Sequence, residues 1–78
     1  MYYVYIIKLS NNKYYVGKTK NLIQRFKEHN LKKVKSTKKF QPCKLITYIA
    51  FSSKQKANNF ELYLKTGSGF AFRNKRLI

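Results

Sequence analysis

The groups in this chain that could do chemistry are few. There are two carboxylates, Glu28 and Glu61, one histidine, His29, one cysteine, Cys43, and no aspartate in 78 residues. Tyrosine is plentiful: Tyr2, Tyr3, Tyr5, Tyr14 and Tyr15 crowd the N-terminal segment. Arg25 stands four residues before His29. Any reaction must therefore run on phenol, imidazole, guanidinium and at most a pair of carboxylates. A Ser-His-Asp triad is excluded, although Glu could replace the acid. Carboxylate-rich calcium loops and three-carboxylate two-metal centres are excluded as well. One Cys and one His cannot build a zinc finger or ribbon.

The charge narrows the partners. Lys and Arg number 18 against two acids, a formal net charge of +16. Charge of that size strains a small domain by self-repulsion and makes sense beside a polyanion, of which nucleic acid is the commonest. A genome rich in A and T would raise the lysine count, but it would supply Asp and Glu too. An anionic membrane surface fits less well, because the basic residues are not confined to one amphipathic helix. No apolar run approaches the roughly 20 residues of a membrane span, and the N-terminal apolar stretch lacks a basic leader and a cleavage site. A lone cysteine forms no internal disulfide, which points to a reducing cytoplasmic setting.

The elements that must position these groups follow from periodicity. With 44% hydrophobic residues, the chain supports one small core and no second lobe. Residues 2–9 read as a strand apolar on both faces, Ser10-Asn11-Asn12-Lys13 as a turn, and Tyr14-Tyr15-Val16-Gly17 as the returning strand. A helix follows, with Asn21 and Gln24 at capping-box spacing, Thr19 as a competing cap, and Leu22, Ile23 and Phe26 as its apolar stripe. Arg25 and His29 share a face off that stripe and are expected to be exposed. Residues 32–39 read as a mobile lysine-rich loop, ended by Pro42. Residues 44–51 alternate as a third strand, with Leu45, Thr47, Ile49 and Phe51 on one side. Ser52 with Gln55 predicts the cap of a second helix over 53–66, with Ala57, Phe60 and Leu64 inward and Gly67 as its C-terminal stop. Taking Ala57 as zero, Glu61 falls at about 40°, beside the core-facing stripe. The tail, 70–78, has room for one more helical turn. The fold class is α/β (α+β): a small three-stranded antiparallel sheet flanked by helices, in the order ββα-βα.

Each candidate has an ordinary structural role beside the chemical one. The hairpin tyrosines favour strands and fill amphipathic surfaces. Gly17-Lys18-Thr19 is no phosphate-binding P-loop, but Lys18 and the amides of the following helix would attract a phosphate. Arg25 and His29 could form a solvated basic face, and Glu28 a surface ion pair. Glu61 could pair with Lys65 at i+4. Its place beside the stripe instead suggests a partly buried carboxylate that needs a basic partner or a metal ion. A single carboxylate suits Mg²⁺, which keeps waters and takes phosphate oxygens as further ligands.

Tyr3-Val4-Tyr5, Tyr15-Val16-Gly17, Arg25 with His29, and Glu61 together resemble the GIY-YIG nuclease superfamily, over nearly the whole chain. Tyr15 follows Tyr5 by ten residues and Arg25 follows it by twenty, as in that family. The segment Phe60 to Gly69 is similar to the Glu-containing helix and Gly-rich turn of small standalone bacterial members. Tyr3 in place of the first glycine is a departure that removes no functional group. Asn74 is not assigned the role of the terminal asparagine ligand of some larger relatives.

The resemblance implies a one-metal endonuclease acting on phosphodiester bonds, here of DNA, structure-directed or weakly sequence-specific. Tyr5, or else Tyr15, would take or relay the proton of the attacking water. A free phenol, with a pKa of about 10, is a poor base, so the positive field and Lys18 are expected to favour the phenolate. Arg25 would bind the scissile phosphate, His29 would support phosphate or proton transfer, and Glu61 would hold one Mg²⁺ or Mn²⁺. Lys18, Lys32, Lys33 and Lys35 are the expected contacts to the nucleic-acid backbone. Two other readings remain: a nucleic-acid-binding module of the same fold without activity, and a basic structural protein whose tyrosines and Glu61 only pack or pair. These 78 residues carry no appended recognition domain, so this chain alone is not expected to read a long specific site; a helper protein or homodimer could supply specificity. DNA against RNA stays open, as does the process: DNA repair, recombination, restriction or a mobile element.

Overall fold

The computed structural model describes residues 1–31, 33–35 and 37–78. Three strands, β1 (Tyr2–Lys8), β2 (Tyr14–Thr19) and β3 (Lys44–Phe51), form one antiparallel sheet in the order β2-β1-β3. Helix α1 (Leu22–Asn30) lies between β2 and β3 in the chain, and α2 (Lys54–Leu64) and α3 (Gly67–Arg76) follow β3. The α+β class, the strand count and the antiparallel sheet are as the sequence predicts. β1 is central because both of its faces are apolar; Val4, Tyr5, Ile6 and Ile7 are all buried.

The sheet separates two cores. On one face Val4, Ile6 and Val16 pack with Ala57 and Leu64 of α2. On the other, Tyr5, Ile7 and Leu9 pack with Cys43 and, at their margin, with Leu22 and Phe26 of α1. The β1–β2 turn carries Asn12 at φ 66°, a left-handed conformation that asparagine tolerates.

Several local expectations need correction. β2 runs on to Thr19 and does not stop at Gly17. A bulge between Ile6 and Ile7 pairs Ile6 with Thr47 and Ile7 with Leu45. The extra residue moves Leu45 to the face opposite Thr47, so the simple alternation of β3 breaks there. Ser53, not Ser52, caps α2, its side chain accepting from the Lys56 amide. Gly67 is not a helix stop: it opens α3, for which Thr66 is the cap, and no glycine has positive φ. The C-terminal segment is a ten-residue helix and not a single turn. A Cβ on Gly69 would strike the Tyr63 carbonyl, which is why α3 can turn back so closely on α2. Phe72 of α3 then meets Phe60 and Tyr63 edge to face or tilted.

The lysine-rich segment is packed at two points: Val34 and Thr37 are buried, while Lys33, Lys35, Lys38 and Lys39 are exposed. Lys32 lies outside the described residues. No described helix is long and apolar enough to cross a membrane.

Candidate active site

Tyr5 occupies the middle of the central strand and pairs in register with Gly17 on β2. Cross-strand partners share a face, so the Tyr5 ring lies over Gly17. An added Cβ there would collide with the Tyr5 hydroxyl and Cζ. That glycine is needed for the close approach of the ring, since its φ is not positive. Tyr15, two residues before it, has its ring centroid 6.4 Å from that of Tyr5.

Helix α1 is started by Asn21, whose side chain accepts from the Gln24 amide at 3.1 Å. It delivers His29 to these tyrosines. The ring of His29 lies 5.6 Å from Tyr5 and 5.2 Å from Tyr15, both edge to face. The Tyr5 hydroxyl is 2.8 Å from His29 Nε2, and His29 Nδ1 is 2.8 Å from Thr37 Oγ1. His29 is 0% exposed, against the expectation of an exposed basic face. Counting Ile23 into the apolar stripe misplaced that face. Taking Leu22 as zero, Phe26 falls at about 40°, His29 at about 340° and Ile23 at about 100°. The stripe is Leu22, Phe26 and His29, and Ile23 is exposed.

Arg25 sits at the border, half-buried, with its Nη1 3.2 Å from Glu28 Oε1. Burial pushes the Tyr5 phenol above its ordinary pKa of 10, and the Arg25 guanidinium opposes that rise only in part. The phenolate is thus not favoured at rest, contrary to the expectation from net charge: desolvation of a buried phenol outweighs a field screened by water. Burial also lowers the His29 pKa, with the Arg25 charge acting in the same direction. The imidazole is held neutral and can accept a proton.

Glu61 and Lys18 belong to the opposite face. Glu61 is 9% exposed on α2, and its Oε2 accepts from Lys65 Nζ at 2.5 Å, the i+4 pairing weighed as its ordinary role. Its Oε1 accepts no hydrogen bond among the described residues. Lys18 donates to Asn58 Oδ1 at 2.7 Å, one helical turn before Glu61. Among the described residues no three His, Cys, Asp or Glu side chains cluster. The donor set for a metal is therefore one carboxylate with a spare oxygen, which fits a hard divalent cation that keeps its waters and takes phosphate oxygens.

Two clefts meet at the end of β2. One, of 320 Å³, has Lys18, Lys20, Gln24, Arg25 and Glu28 in its lining. The other, of 200 Å³, has Tyr2, Lys18, Lys20, Lys54 and Asn58. Lys18 and Lys20 are common to both, so the strand end joins the Arg25 side to the α2 side. A larger cleft between α1 and β3 is apolar and holds none of the candidate residues. The structure thus brings Tyr5, Tyr15 and His29 together, with Arg25 at the adjoining cleft. It puts Glu61 on the far face and leaves Lys33 and Lys35 on the exposed loop. Thr37 and Asn58 had no signal in the sequence: both belong to the site through contacts distant along the chain.

Known proteins resemble this chain over most of its length. The model of the GIY-YIG catalytic domain matches residues 1–75. The UPF0213 protein SH2523 of Staphylococcus haemolyticus is 41% identical over 68 residues, covering 86% of this chain and 83% of the relative. The UPF0213 protein YazA of Bacillus subtilis is 38% identical over 65 residues, covering 82% and 66%. The solution NMR structure of the UPF0213 protein BH0048 from Bacillus halodurans superposes with a TM-score of 0.61 at 28% identity, covering 99% of this chain and 87% of that one. With a spaced tyrosine pair, a helix-borne Arg and His, and a family match over almost its whole length, this chain belongs to the GIY-YIG nuclease family.

Proposed function

We propose that this protein is a divalent-metal-dependent endonuclease that hydrolyses phosphodiester bonds of DNA in the cytoplasm, with structure-directed or weak sequence preference. The observation that carries the reading is the buried Tyr5–His29 hydrogen bond beside a cationic cleft holding Arg25. A phenol joined to a neutral imidazole can take a proton from water without first becoming a free phenolate.

In this reading Arg25 and Lys18 bind the scissile phosphate, and Arg25 offsets the charge that grows in the transition state. Tyr5 removes a proton from the attacking water; Tyr15 packs against the His29 ring and helps orient it. Glu61 would hold one Mg²⁺ or Mn²⁺. Such an ion, when bound, neutralises phosphate charge. Lys33 and Lys35 add contacts to the backbone that carry no sequence information. The +16 charge gives affinity for nucleic acid, and selection among sites falls to DNA shape, a helper protein or a second copy of the chain.

A second reading, a binding module without activity, draws on the Glu61–Lys65 pair, since a carboxylate fully committed to lysine would hold no metal. The test is cleavage of labelled DNA and RNA structures at low salt with Mg²⁺, Mn²⁺ or EDTA. Wild type is compared with Glu61→Ala and Tyr5→Phe. The nuclease reading expects metal-dependent cutting lost in both variants while binding persists. Binding without cutting on every substrate favours the second reading.

A further inference from the structure

The proton that Tyr5 would give up needs a destination, and the fold supplies a chain of groups reaching it. We infer that Thr37 is a positioning residue: it holds His29 with its hydrogen on Nδ1, so that the Nε2 lone pair is aimed at the Tyr5 hydroxyl. The inference rests on the nuclease reading for its role in catalysis, but the hydrogen-bond assignment stands on geometry alone.

The direction of the chain is set at its Tyr5 end and accommodated at its Thr37 end. At the inner end the Thr37 hydroxyl donates to the Val34 carbonyl at 3.5 Å. That contact is long, so it offers the hydroxyl hydrogen an outlet without fixing it there, and at 2.8 Å the Thr37 oxygen is free to accept from a hydrogen on His29 Nδ1. At the outer end Tyr5 is 2% exposed; Arg25 reaches its hydroxyl only as a donor, and His29 Nε2 is the acceptor within reach among the described residues. A buried phenol keeps its proton, and that proton must be shared with an acceptor. Nε2 is an acceptor only when the ring hydrogen is on Nδ1. The Tyr5 end therefore selects the Nδ1–H tautomer, and Thr37 supplies the acceptor without which that buried hydrogen would be unpaired. Thr37 is 0% exposed, and its segment is tied to the helix by the Gln41 side-chain amide, which donates to the His29 carbonyl and more weakly to that of Thr37.

The step balances without a further reactant. Water oxygen forms a bond to phosphorus as its proton passes to Tyr5 Oη. The original Tyr5 proton passes to Nε2, giving imidazolium with Nδ1–H still on Thr37. The P–O3′ bond breaks with its electron pair on the 3′-oxygen, which takes a proton from solvent. Imidazolium then returns its proton through Tyr5 to water.

His29 is the single histidine of the chain, so an imidazole nitrogen spectrum has one residue to report. Long-range ¹H–¹⁵N correlation on wild type at neutral pH is expected to show a protonated Nδ1 and an unprotonated Nε2. In Thr37→Val, which removes the acceptor at similar volume, the ring is expected to leave that single tautomer. Cleavage should fall about 10–100-fold, as for other residues that orient a histidine. Thr37→Ser should restore both. The pH–rate profile of Thr37→Val should shift, read against the groups facing the ring: Tyr5 and Tyr15 from the sheet, and Arg25 and Glu28 from α1. A wild-type spectrum with hydrogen on Nε2, or an unchanged tautomer and rate in Thr37→Val, would overturn the inference. The wild-type spectrum decides even if the valine variant fails to fold. An Nδ1–H tautomer in a wild type that cuts no substrate would remove the nuclease reading and leave the hydrogen-bond assignment intact.

Discussion

The two faces of the sheet are built on opposite terms. The α1 face buries polar groups: Tyr5, His29 and Thr37 are joined by 2.8 Å contacts and nearly closed to solvent. The α2 face buries aliphatic side chains, with Glu61 set at its margin and one oxygen on an exposed lysine. The first arrangement is costly to bury and is fully satisfied, which suits groups that must keep one geometry. The second leaves a carboxylate oxygen for an incoming ligand. The proton relay and the cation site proposed for these faces would have different needs for water, and the sheet keeps the two sets of residues apart. Lys18 and Lys20, at the end of β2, line clefts on both sides and are where a phosphate would connect the two.

That contrast can be broken from either side. The largest effect is expected from Tyr5→Phe, which removes the phenol but keeps the ring. Cleavage should fall about 10²–10⁴-fold, the range of a lost general base, with DNA affinity unchanged by gel shift. Arg25→Ala should cost about 10²–10³-fold in rate and also weaken binding of a phosphate backbone. Gly17→Ala acts on stability: the new methyl group meets the Tyr5 ring, and overpacking of this kind costs about 1–3 kcal/mol, readable in thermal unfolding. The smallest effect is expected from Lys33→Gln with Lys35→Gln. Each should lower the salt slope of DNA binding by about 1 without altering preference among substrates.

The relay face also predicts a pH dependence of folding. His29 has a pKa lowered from 6.5, so its neutral form is favoured in the folded state. The associated stability is present above about pH 6.5, where the unfolded chain is also neutral, and is lost as pH falls through the folded pKa. With two carboxylates in the chain, little else titrates in the mildly acid range. Melting temperature should drop between pH 7 and pH 5 in wild type, and His29→Gln should flatten that drop.

Much of this was legible in the sequence because the signals were local. The 44–51 strand, the Asn21 cap and the tyrosine spacing each depend on neighbours within a few residues. Glu61 was placed beside the core by helical period alone, and it is buried there. The burial of His29 is hard to read from the sequence because the stripe of a nine-residue helix has few residues to define it, and the apolar but exposed Ile23 pulls the expected stripe away from it. Thr37 and Asn58 were beyond reach, since a hydroxyl in a basic loop and an amide on a helix gain meaning only from partners brought near by folding. The sign of the Tyr5 shift failed for the same reason: net charge is read from composition, and burial is not.

The central claim is that groups on the two faces act in one reaction. It is tested most directly by single-turnover cleavage with Tyr5→Phe, Glu61→Gln and the double variant under one set of conditions. If both serve the same reaction, each single variant should lose cleavage while keeping DNA binding, and the double variant should be no faster than the slower single variant. Cleavage at the wild-type rate by either single variant would contradict the account.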